Sequence, residues 1–307
     1  MNYIYGPVPS RRLGLSLGVD IVPMKTCSLS CIYCQVGKTP EVTLSRREYI
    51  SVNEVLHELV DYFKKGLKPD WVTFSGSGEP TLNSGIGEII KGIRKLTDIP
   101  ICVITNGTLL WDKQVRRDII DADAVMPSLD SAIEETFRKV CRPHPDLKIK
   151  KIIDGLADFR KMYNGKIWLE ILFVEGINDS PVELEALREA VKRISPDSIQ
   201  LNTVVRPPAE SSAKPLSRER LEEIQDFFGG KAEIIASFIK DSVVSDKIEA
   251  DDVREYLKRR PGSVDDISTA LGVEKNQVEE ILENLDQSGE IRVNEYFGKR
   301  FWEFVEN

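Results

Sequence analysis

Short runs of strand-forming residues alternate with longer amphipathic stretches over about residues 17–240, and this alternation constrains the fold most strongly. The short runs are rich in valine, isoleucine and aromatic residues, which favour strands. They are Leu17–Val22, Trp71–Ser75, Ile101–Thr105, Ala124–Leu129, Ile167–Val174 and Ser198–Val204. Alternating units of this kind build a parallel sheet that is covered by helices. The sequence therefore predicts an α/β fold with six β/α units.

Six helices are predicted in the stretches that follow these strands, because apolar residues recur there at helical spacing. They span Val52–Lys65, Ile86–Leu96, Lys113–Ile120, Lys148–Met162, Pro181–Ile194 and Arg218–Phe228. Polar or glycine-rich segments come directly after the first four strands. In α/β barrels the C-terminal ends of the strands form the edge that carries the site. We therefore expect a partial TIM-like (β/α)6 barrel in which these segments converge.

The pattern changes after about residue 245, which predicts a barrel domain over residues 1–245 and a small domain over residues 246–307. Asp251–Arg259, Val264–Leu271 and Lys275–Gln287 are predicted helices, and Ile291–Val305 is predicted to be a two-stranded wing. This order resembles a winged helix-turn-helix domain. Its third helix is acidic and would repel a phosphate backbone. We expect it to dock an RNA or protein substrate, with sequence-specific DNA binding as the alternative.

Charge, apolar runs and cysteine count predict the cellular compartment of this chain and the partners that it lacks. The 307 residues carry a net charge of −8, which counts against a general nucleic-acid binder. No stretch approaches the roughly 18 apolar residues of a membrane span. The five cysteines are an odd number, and three of them lie close together, so a disulfide framework is not expected. These features predict a cytoplasmic protein without a membrane partner.

Cys27, Cys31 and Cys34 lie on one short segment, separated by three and then two residues. Soft thiolates select iron–sulfur clusters, zinc or copper(I). Structural zinc is the weaker interpretation because it normally needs four ligands, and only His57 and His144 could complete the set. Three cysteines on a cubane cluster leave one iron without a protein ligand. The spacing therefore predicts a catalytic cluster with an open coordination site.

The C-x3-C-x2-C spacing with Tyr33 before the third cysteine resembles the motif of radical S-adenosylmethionine (SAM) enzymes. The segment Ser77–Pro80 resembles the GGEP motif of that family, with serine in place of the first glycine. The resemblance implies a [4Fe–4S] cluster on the three cysteines and SAM chelated by the free iron. Reductive cleavage of SAM would then give a 5′-deoxyadenosyl radical that abstracts hydrogen from a substrate. No catalytic side chain is assigned, because the cofactor carries the difficult chemistry.

The same resemblance implies which residues contact SAM. The segment after the second strand would receive the amino group of the methionine moiety, and residues after the next two strands would hold the ribose and the methionine carboxylate. Asn178 would line the cavity or, equally well, form part of a helix N-cap region. The candidate contacts are Ser75, Gly76, Ser77, Gly78, Glu79, Thr105, Asn106, Ser128, Asp130 and Asn178. An external flavodoxin-like or ferredoxin-like electron donor is the further partner that we expect.

The N-terminal segment Tyr5–Asp20 combines prolines, glycines and two arginines, a composition that suits a rigid segment capping the site. It resembles the opening of a radical SAM subgroup related to wybutosine tRNA-modifying enzymes. Arg11 and Arg12 are candidates for binding an anionic substrate, such as a tRNA, through forked hydrogen bonds or, equally well, form a solvated basic pair. The competing hypothesis is an iron–sulfur redox sensor whose winged domain binds DNA.

Overall fold

The computed structural model describes residues 3–10, 12–235, 248–296 and 298–305. Arg11 and the predicted domain boundary at residue 245 lie outside these ranges. Within them, none of the helices is long and apolar enough to cross a membrane.

Eight strands form one sheet in which the spatial order of the strands follows the chain order. They are β1 (Ile4–Ser10), β2 (Gly14–Val19), β3 (Trp71–Phe74), β4 (Ile101–Thr105), β5 (Ala124–Pro127), β6 (Lys166–Phe173), β7 (Ser198–Thr203) and β8 (Ala232–Ile234). Strands β2 to β8 are parallel to one another, whereas β1 pairs antiparallel with β2. The C-terminal ends of seven strands therefore lie along the same edge.

Seven helices connect these strands. They are α1 (Val52–Lys64), α2 (Ile86–Leu96), α3 (Lys113–Asp118), α4 (Glu134–Cys141), α5 (Ile149–Met162), α6 (Pro181–Ile194) and α7 (Arg218–Phe228). Local sequence explains their ends: α6 begins with Pro181 after Ser180, whose side chain accepts a hydrogen bond from the Glu183 amide. The six predicted strands and six predicted helices are present; β2 begins and ends three residues earlier than predicted, and the other ends are shifted by no more than two residues.

The prediction of six β/α units was incomplete, because it omitted three elements. Strand β1 contains Pro7 and Pro9, which indicated an irregular segment, yet an edge strand tolerates proline on its unpaired side. Its register shifts between Tyr5 and Val8, as expected of such a strand. Strand β8 has three residues and α4 has eight, which is too short for a clear periodic pattern. The N-terminal segment is thus part of the sheet.

Apolar side chains lie on both faces of the sheet. The main core lies between the strands and the surrounding helices. A second, smaller group lies apart from it and is called here the lumen cluster. It consists of Leu13, Cys102, Ala124 and Met126, with Trp71, Ile104 and Trp168 packed against them. Cys102 is fully buried there, in the environment of a small hydrophobic residue.

Residues 248–305, within the described ranges, form a C-terminal unit with a hydrophobic core of its own. It comprises α8 (Ala250–Arg259), α9 (Val264–Leu271), α10 (Lys275–Gln287), β9 (Ile291–Tyr296) and β10 (Lys299–Phe304). Strands β9 and β10 form an antiparallel hairpin. Helix α9 packs against β1, and Arg206 after β7 pairs with Asp266 of α9 at 3.0 Å. The predicted order of three helices and a hairpin is present.

Candidate functional site

The cysteine segment lies at the C-terminal edge of the sheet and is held from two sides by backbone hydrogen bonds. On one side the Lys25 amide donates to Ser77 O (2.8 Å), and the Glu79 amide donates to Thr26 O (2.9 Å). On the other side the amides of Ser30 and Ile32 donate to the last residues of α4, with lengths of 3.0 and 2.9 Å. The segment is therefore fixed between the loop after β3 and the end of α4.

The three cysteines of this segment are partly exposed. Cys31 and Cys34 share a turn in which the Cys34 amide donates to Cys31 O (3.1 Å). Burial, followed by the nearby carboxylate of Glu79, raises the pKa of the Cys27 thiol above its ordinary value. Burial also raises the pKa of Cys34, and Lys25 opposes this change. Binding of a metal cluster would therefore displace protons from these thiols.

Among the residues that the structure describes, no three cysteine, histidine or carboxylate side chains are arranged around a point that would hold a single metal ion. A cubane cluster does not require that arrangement, because its protein ligands bind different iron atoms. Three thiols on one braced segment are a donor set that fits such a cluster. The cysteines Cys27, Cys31 and Cys34 thus suit the predicted role in their chemistry and their placement.

Two glycines of the loop after β3 permit a close approach to neighbouring segments. A Cβ at Gly78 would lie 2.1 Å from Thr26 O, so only glycine allows the cysteine segment to pack here. Gly76 has a φ of +150°, and a Cβ there would lie 2.3 Å from the Asp20 carboxylate. That carboxylate accepts hydrogen bonds from Ser77 N (3.0 Å) and Ser77 Oγ (2.6 Å). Sequence reasoning missed Asp20, which lies within the predicted strand Leu17–Val22; a carboxylate inside an otherwise apolar run could have identified it.

Glu79 is buried and its carboxylate binds groups of the protein. It accepts hydrogen bonds from Thr81 N (3.0 Å), Thr81 Oγ1 (2.5 Å), Thr105 Oγ1 (2.6 Å) and Asn106 N (2.7 Å). These bonds join the loop after β3 to the end of β4. The side chains of Glu79 and Thr105 therefore organise the loops, and any contact of this segment with SAM would come from backbone groups.

Asn106 lies beside the cysteine segment. Its Nδ2 donates to Ser28 Oγ (2.9 Å) and to Cys27 Sγ (3.5 Å). Its Oδ1 accepts from Thr108 N (3.0 Å), and this bond fixes the orientation of the amide. The predicted SAM contact at Asn106 thus has a second role, because the side chain links the end of β4 to the first cysteine.

Asp130 and Asn178, two of the predicted SAM contacts, are buried and bound to protein groups. Asp130 Oδ1 accepts from Leu172 N (3.0 Å), and its Oδ2 accepts from the Tyr33 hydroxyl. Burial raises the pKa of Asp130 to about 6. Asn178 Nδ2 donates to Asp130 O (2.7 Å), and its Oδ1 accepts from Val174 N (2.7 Å). Both side chains therefore hold the loop after β5 against the end of β6 and the loop that follows it.

Four other residues that were predicted to contact SAM are at least partly exposed to solvent. Gly76 is exposed, and Ser75, Gly78 and Ser128 are half-buried. The hydroxyl of Ser75 lies 2.7 Å from the hydroxyl of Tyr5 on β1. This group offers backbone and hydroxyl partners for a ligand at the C-terminal edge.

Arg12 was expected to bind an anionic substrate, but its guanidinium is paired within the chain. It donates to the Glu170 carboxylate on β6 and to Gln200 Oε1 on β7 (2.7 Å). Asn202 Nδ2 donates to the same carboxylate at 3.2 Å. The charge of Arg12 is thus already matched by a carboxylate, and an anion would have to compete with Glu170.

Comparison with known proteins agrees with this arrangement. A family model described as the Radical SAM superfamily matches residues 21–188, which include the cysteine segment and the loops after β3, β4 and β5. The chain belongs to the radical SAM superfamily.

Two relatives of this radical SAM protein show how far the similarity extends. A UPF0026 protein from Methanocaldococcus jannaschii is 33% identical over 309 residues, covering 98% of the chain and 96% of the relative. A protein named GTPase Obg from Brachyspira hyodysenteriae is 38% identical over 293 residues. That match covers 94% of the chain but 43% of the relative, so the chain spans less than half of that protein. These relatives do not confirm the predicted wybutosine subgroup, which stays a prediction.

Solved structures show the same fold. A radical SAM methyltransferase from Sphaerobacter thermophilus superposes with a TM-score of 0.55 at 16% identity, covering 84% of this chain and 69% of the other. SuiB from Streptococcus suis, solved with bound SAM, gives a TM-score of 0.51 at 15% identity, covering 71% and 46%. At these identities the similarity supports the radical SAM barrel and carries no substrate assignment.

Proposed function

We propose that the chain is a radical SAM enzyme that holds one [4Fe–4S] cluster through Cys27, Cys31 and Cys34. The observation that carries this proposal is the position of the three thiols, on a segment braced by the loop after β3 and by the end of α4. When bound, the cluster supplies the electron for reductive cleavage of SAM, the step by which such enzymes form a 5′-deoxyadenosyl radical and abstract hydrogen.

The protein side chains position the cofactors. Gly76 and Gly78 bring backbone groups to the edge next to the cysteines, where amides and carbonyls suit a methionine moiety. Ser75 and Ser128 present half-buried hydroxyls to the same edge. Asp20, Glu79 and Asp130 hold these loops through buried carboxylates, so little reorganisation is needed when ligands bind.

The C-terminal unit is proposed to be a winged helix domain, over residues 246–307, that docks an RNA or protein substrate. Its third helix, α10, exposes Glu279, Glu280 and Glu283 to solvent. Such a surface repels a DNA phosphate backbone and thus counts against the sensor hypothesis. A docked substrate would lie close to the site, because Arg206 hydrogen-bonds both to Asp266 of this unit and to Gln35, the residue after Cys34.

Anaerobic reconstitution followed by reduction in the presence of SAM tests the enzymatic proposal. The wild-type chain should bind a [4Fe–4S] cluster, seen by electron paramagnetic resonance (EPR), and should release 5′-deoxyadenosine. Cys27→Ala should lose the cluster and this product while keeping its fold by circular dichroism. Cys102→Ala is the matched control, because this buried cysteine lies in the lumen cluster and should leave iron content unchanged. Bound zinc, or a cluster that does not respond to SAM, would refute the proposal.

A further inference from the structure

The sulfurs of Cys34 and Cys27 each have a nitrogen hydrogen-bond donor beside them that is not part of the C-x3-C-x2-C motif. Lys25 Nζ lies 3.6 Å from Cys34 Sγ, and Asn106 Nδ2 lies 3.5 Å from Cys27 Sγ. The donors come from opposite sides of the segment: Lys25 precedes the first cysteine, and Asn106 follows β4. We infer that Lys25 and Asn106 set the reduction potential of the cluster. This inference rests on the proposed function.

The position of Lys25 is determined by its backbone and by a second acceptor. Its φ is +62°, a left-handed conformation that is unfavourable for a residue with a side chain. The Lys25 amide donates to Ser77 O, and Nζ also donates to the carbonyl of Gly37. The ammonium group is therefore held between the turn at Gly37 and the sulfur of Cys34.

The side-chain amide of Asn106 is also fixed in its orientation. Its Oδ1 accepts from both the amide and the hydroxyl of Thr108, so the amide group cannot rotate without losing two hydrogen bonds. Its Nδ2 is thereby directed at Ser28 and Cys27. The orientation of the donor is a consequence of the local turn at the end of β4.

A donor beside a cysteine sulfur acts on the two redox states of a cluster unequally. Reduction adds one negative charge, and a positive charge or an N–H group next to the sulfur stabilises the reduced state more than the oxidised state. Both donors should therefore raise the reduction potential. The effect of Lys25 should be larger than that of Asn106, because its hydrogen bond is assisted by a full charge.

Lys25 could instead serve only as a brace, since it also binds Gly37. Four variants separate the two roles. Lys25→Met removes the charge and keeps the length, whereas Lys25→Arg keeps a charge. Asn106→Asp replaces the donor with a carboxylate oxygen beside Cys27. Lys38→Met is the matched control, because Lys38 is close in sequence but pairs with Glu210 on the surface.

The experiment is potentiometric titration of each anaerobically reconstituted protein, followed by EPR of the reduced cluster, with iron content and thermal unfolding measured on the same samples. Lys25→Met should lower the midpoint potential, Asn106→Asp should also lower it, and Lys25→Arg and Lys38→Met should stay close to wild type. An unchanged potential in both Lys25→Met and Asn106→Asp at full iron content would overturn the inference. If Lys25→Met loses iron, Asn106→Asp decides alone. Failure of the wild-type chain to assemble a cluster would instead overturn the proposed function.

Discussion

The two ends of the barrel are built in different ways. At the C-terminal edge, loops from distant parts of the sequence are joined by buried polar side chains, of which Asp20, Glu79 and Asp130 are the main examples. The lumen cluster, which includes Leu13 just before β2, contains apolar side chains that are held by packing. Hydrogen bonds specify exact positions, whereas packing contributes stability that tolerates small changes of shape. Substitutions at the edge should therefore affect the site, and substitutions in the lumen cluster should affect stability alone.

The cysteines illustrate the same contrast. Cys27, Cys31 and Cys34 are partly exposed on an irregular segment, whereas Cys102 is fully buried on β4. Burial raises the pKa of the Cys102 thiol to about 12. Burial raises the pKa of Cys27 and Cys34 as well, so what distinguishes Cys102 is its enclosure by apolar side chains, away from the segment that carries the other three thiols. The three cysteines of the segment and Cys102 therefore differ in their surroundings, although the residue type is the same.

The largest effect on both site and stability is expected from Gly78→Ala. The added Cβ would lie 2.1 Å from Thr26 O, and this clash would push the cysteine segment away from the loop after β3. We expect a loss of stability of at least about 3 kcal/mol, at the upper end of the range for overpacking. Iron content after reconstitution should fall to a small fraction of the wild-type value. Urea unfolding and iron analysis measure the two quantities.

Gly230→Ala is the matched control for this prediction. A Cβ at Gly230 meets no atom within 4 Å, and its φ lies outside the left-handed range. Stability should change by less than about 0.5 kcal/mol, as for other surface substitutions, and iron content should stay at the wild-type level. A normal iron content in Gly78→Ala would show that the close approach to Thr26 is not needed for the site.

A pH-dependent effect is expected at Asp130. Burial raises the pKa of this carboxyl from its ordinary value of 3.8 to about 6, so the folded state keeps the proton where the unfolded state has lost it. The stabilisation is fully present below about pH 4 and is lost as the pH rises through about 6. The rise in pKa corresponds to roughly 3 kcal/mol. Urea unfolding of cluster-free wild type and Asp130→Asn at pH 4 to 7 measures this difference.

The comparison uses the difference in unfolding free energy between the two proteins, because other groups titrate equally in both. This difference, wild type minus variant, should fall with increasing pH between about 4 and 6 and should then be constant. A constant difference over the whole range would show that the pKa of Asp130 in the folded protein is not raised above its ordinary value.

The sequence was sufficient to predict most of the barrel because its strands and helices carry clear periodic patterns. Helix α6, for example, has Ser180 and Pro181 at its start and was predicted with the observed bounds. Strand β1 was not predicted, because its prolines indicated an irregular segment, whereas a strand at the edge of a sheet tolerates proline. Helix α4 was missed as well, although its last residues bind the cysteine segment.

The sequence predicted which segments form the candidate site, but not the hydrogen-bond partners of each side chain. The convergence of the cysteine segment with the loops after β3, β4 and β5 follows from the parallel topology alone. The partners of Asp130 and Asn178 do not follow from topology, because they depend on the path of the chain after β6. Local sequence shows that such side chains favour turns, but it does not show whether they face a ligand or the protein.

Among the substitutions of buried residues, the smallest effect is expected from Cys102→Ala in the lumen cluster. This substitution removes one sulfur atom from a packed apolar site, which should cost about 1 kcal/mol of unfolding free energy. Iron content, the midpoint potential and SAM cleavage should equal those of wild type, because Cys102 is separated from the C-terminal edge by the rest of β4. Unfolding in urea and EPR of the reconstituted protein provide the measurements. A shifted potential or a partial loss of iron in this variant would contradict the separation between the two ends of the barrel, since packing in the lumen would then influence the cysteine segment directly.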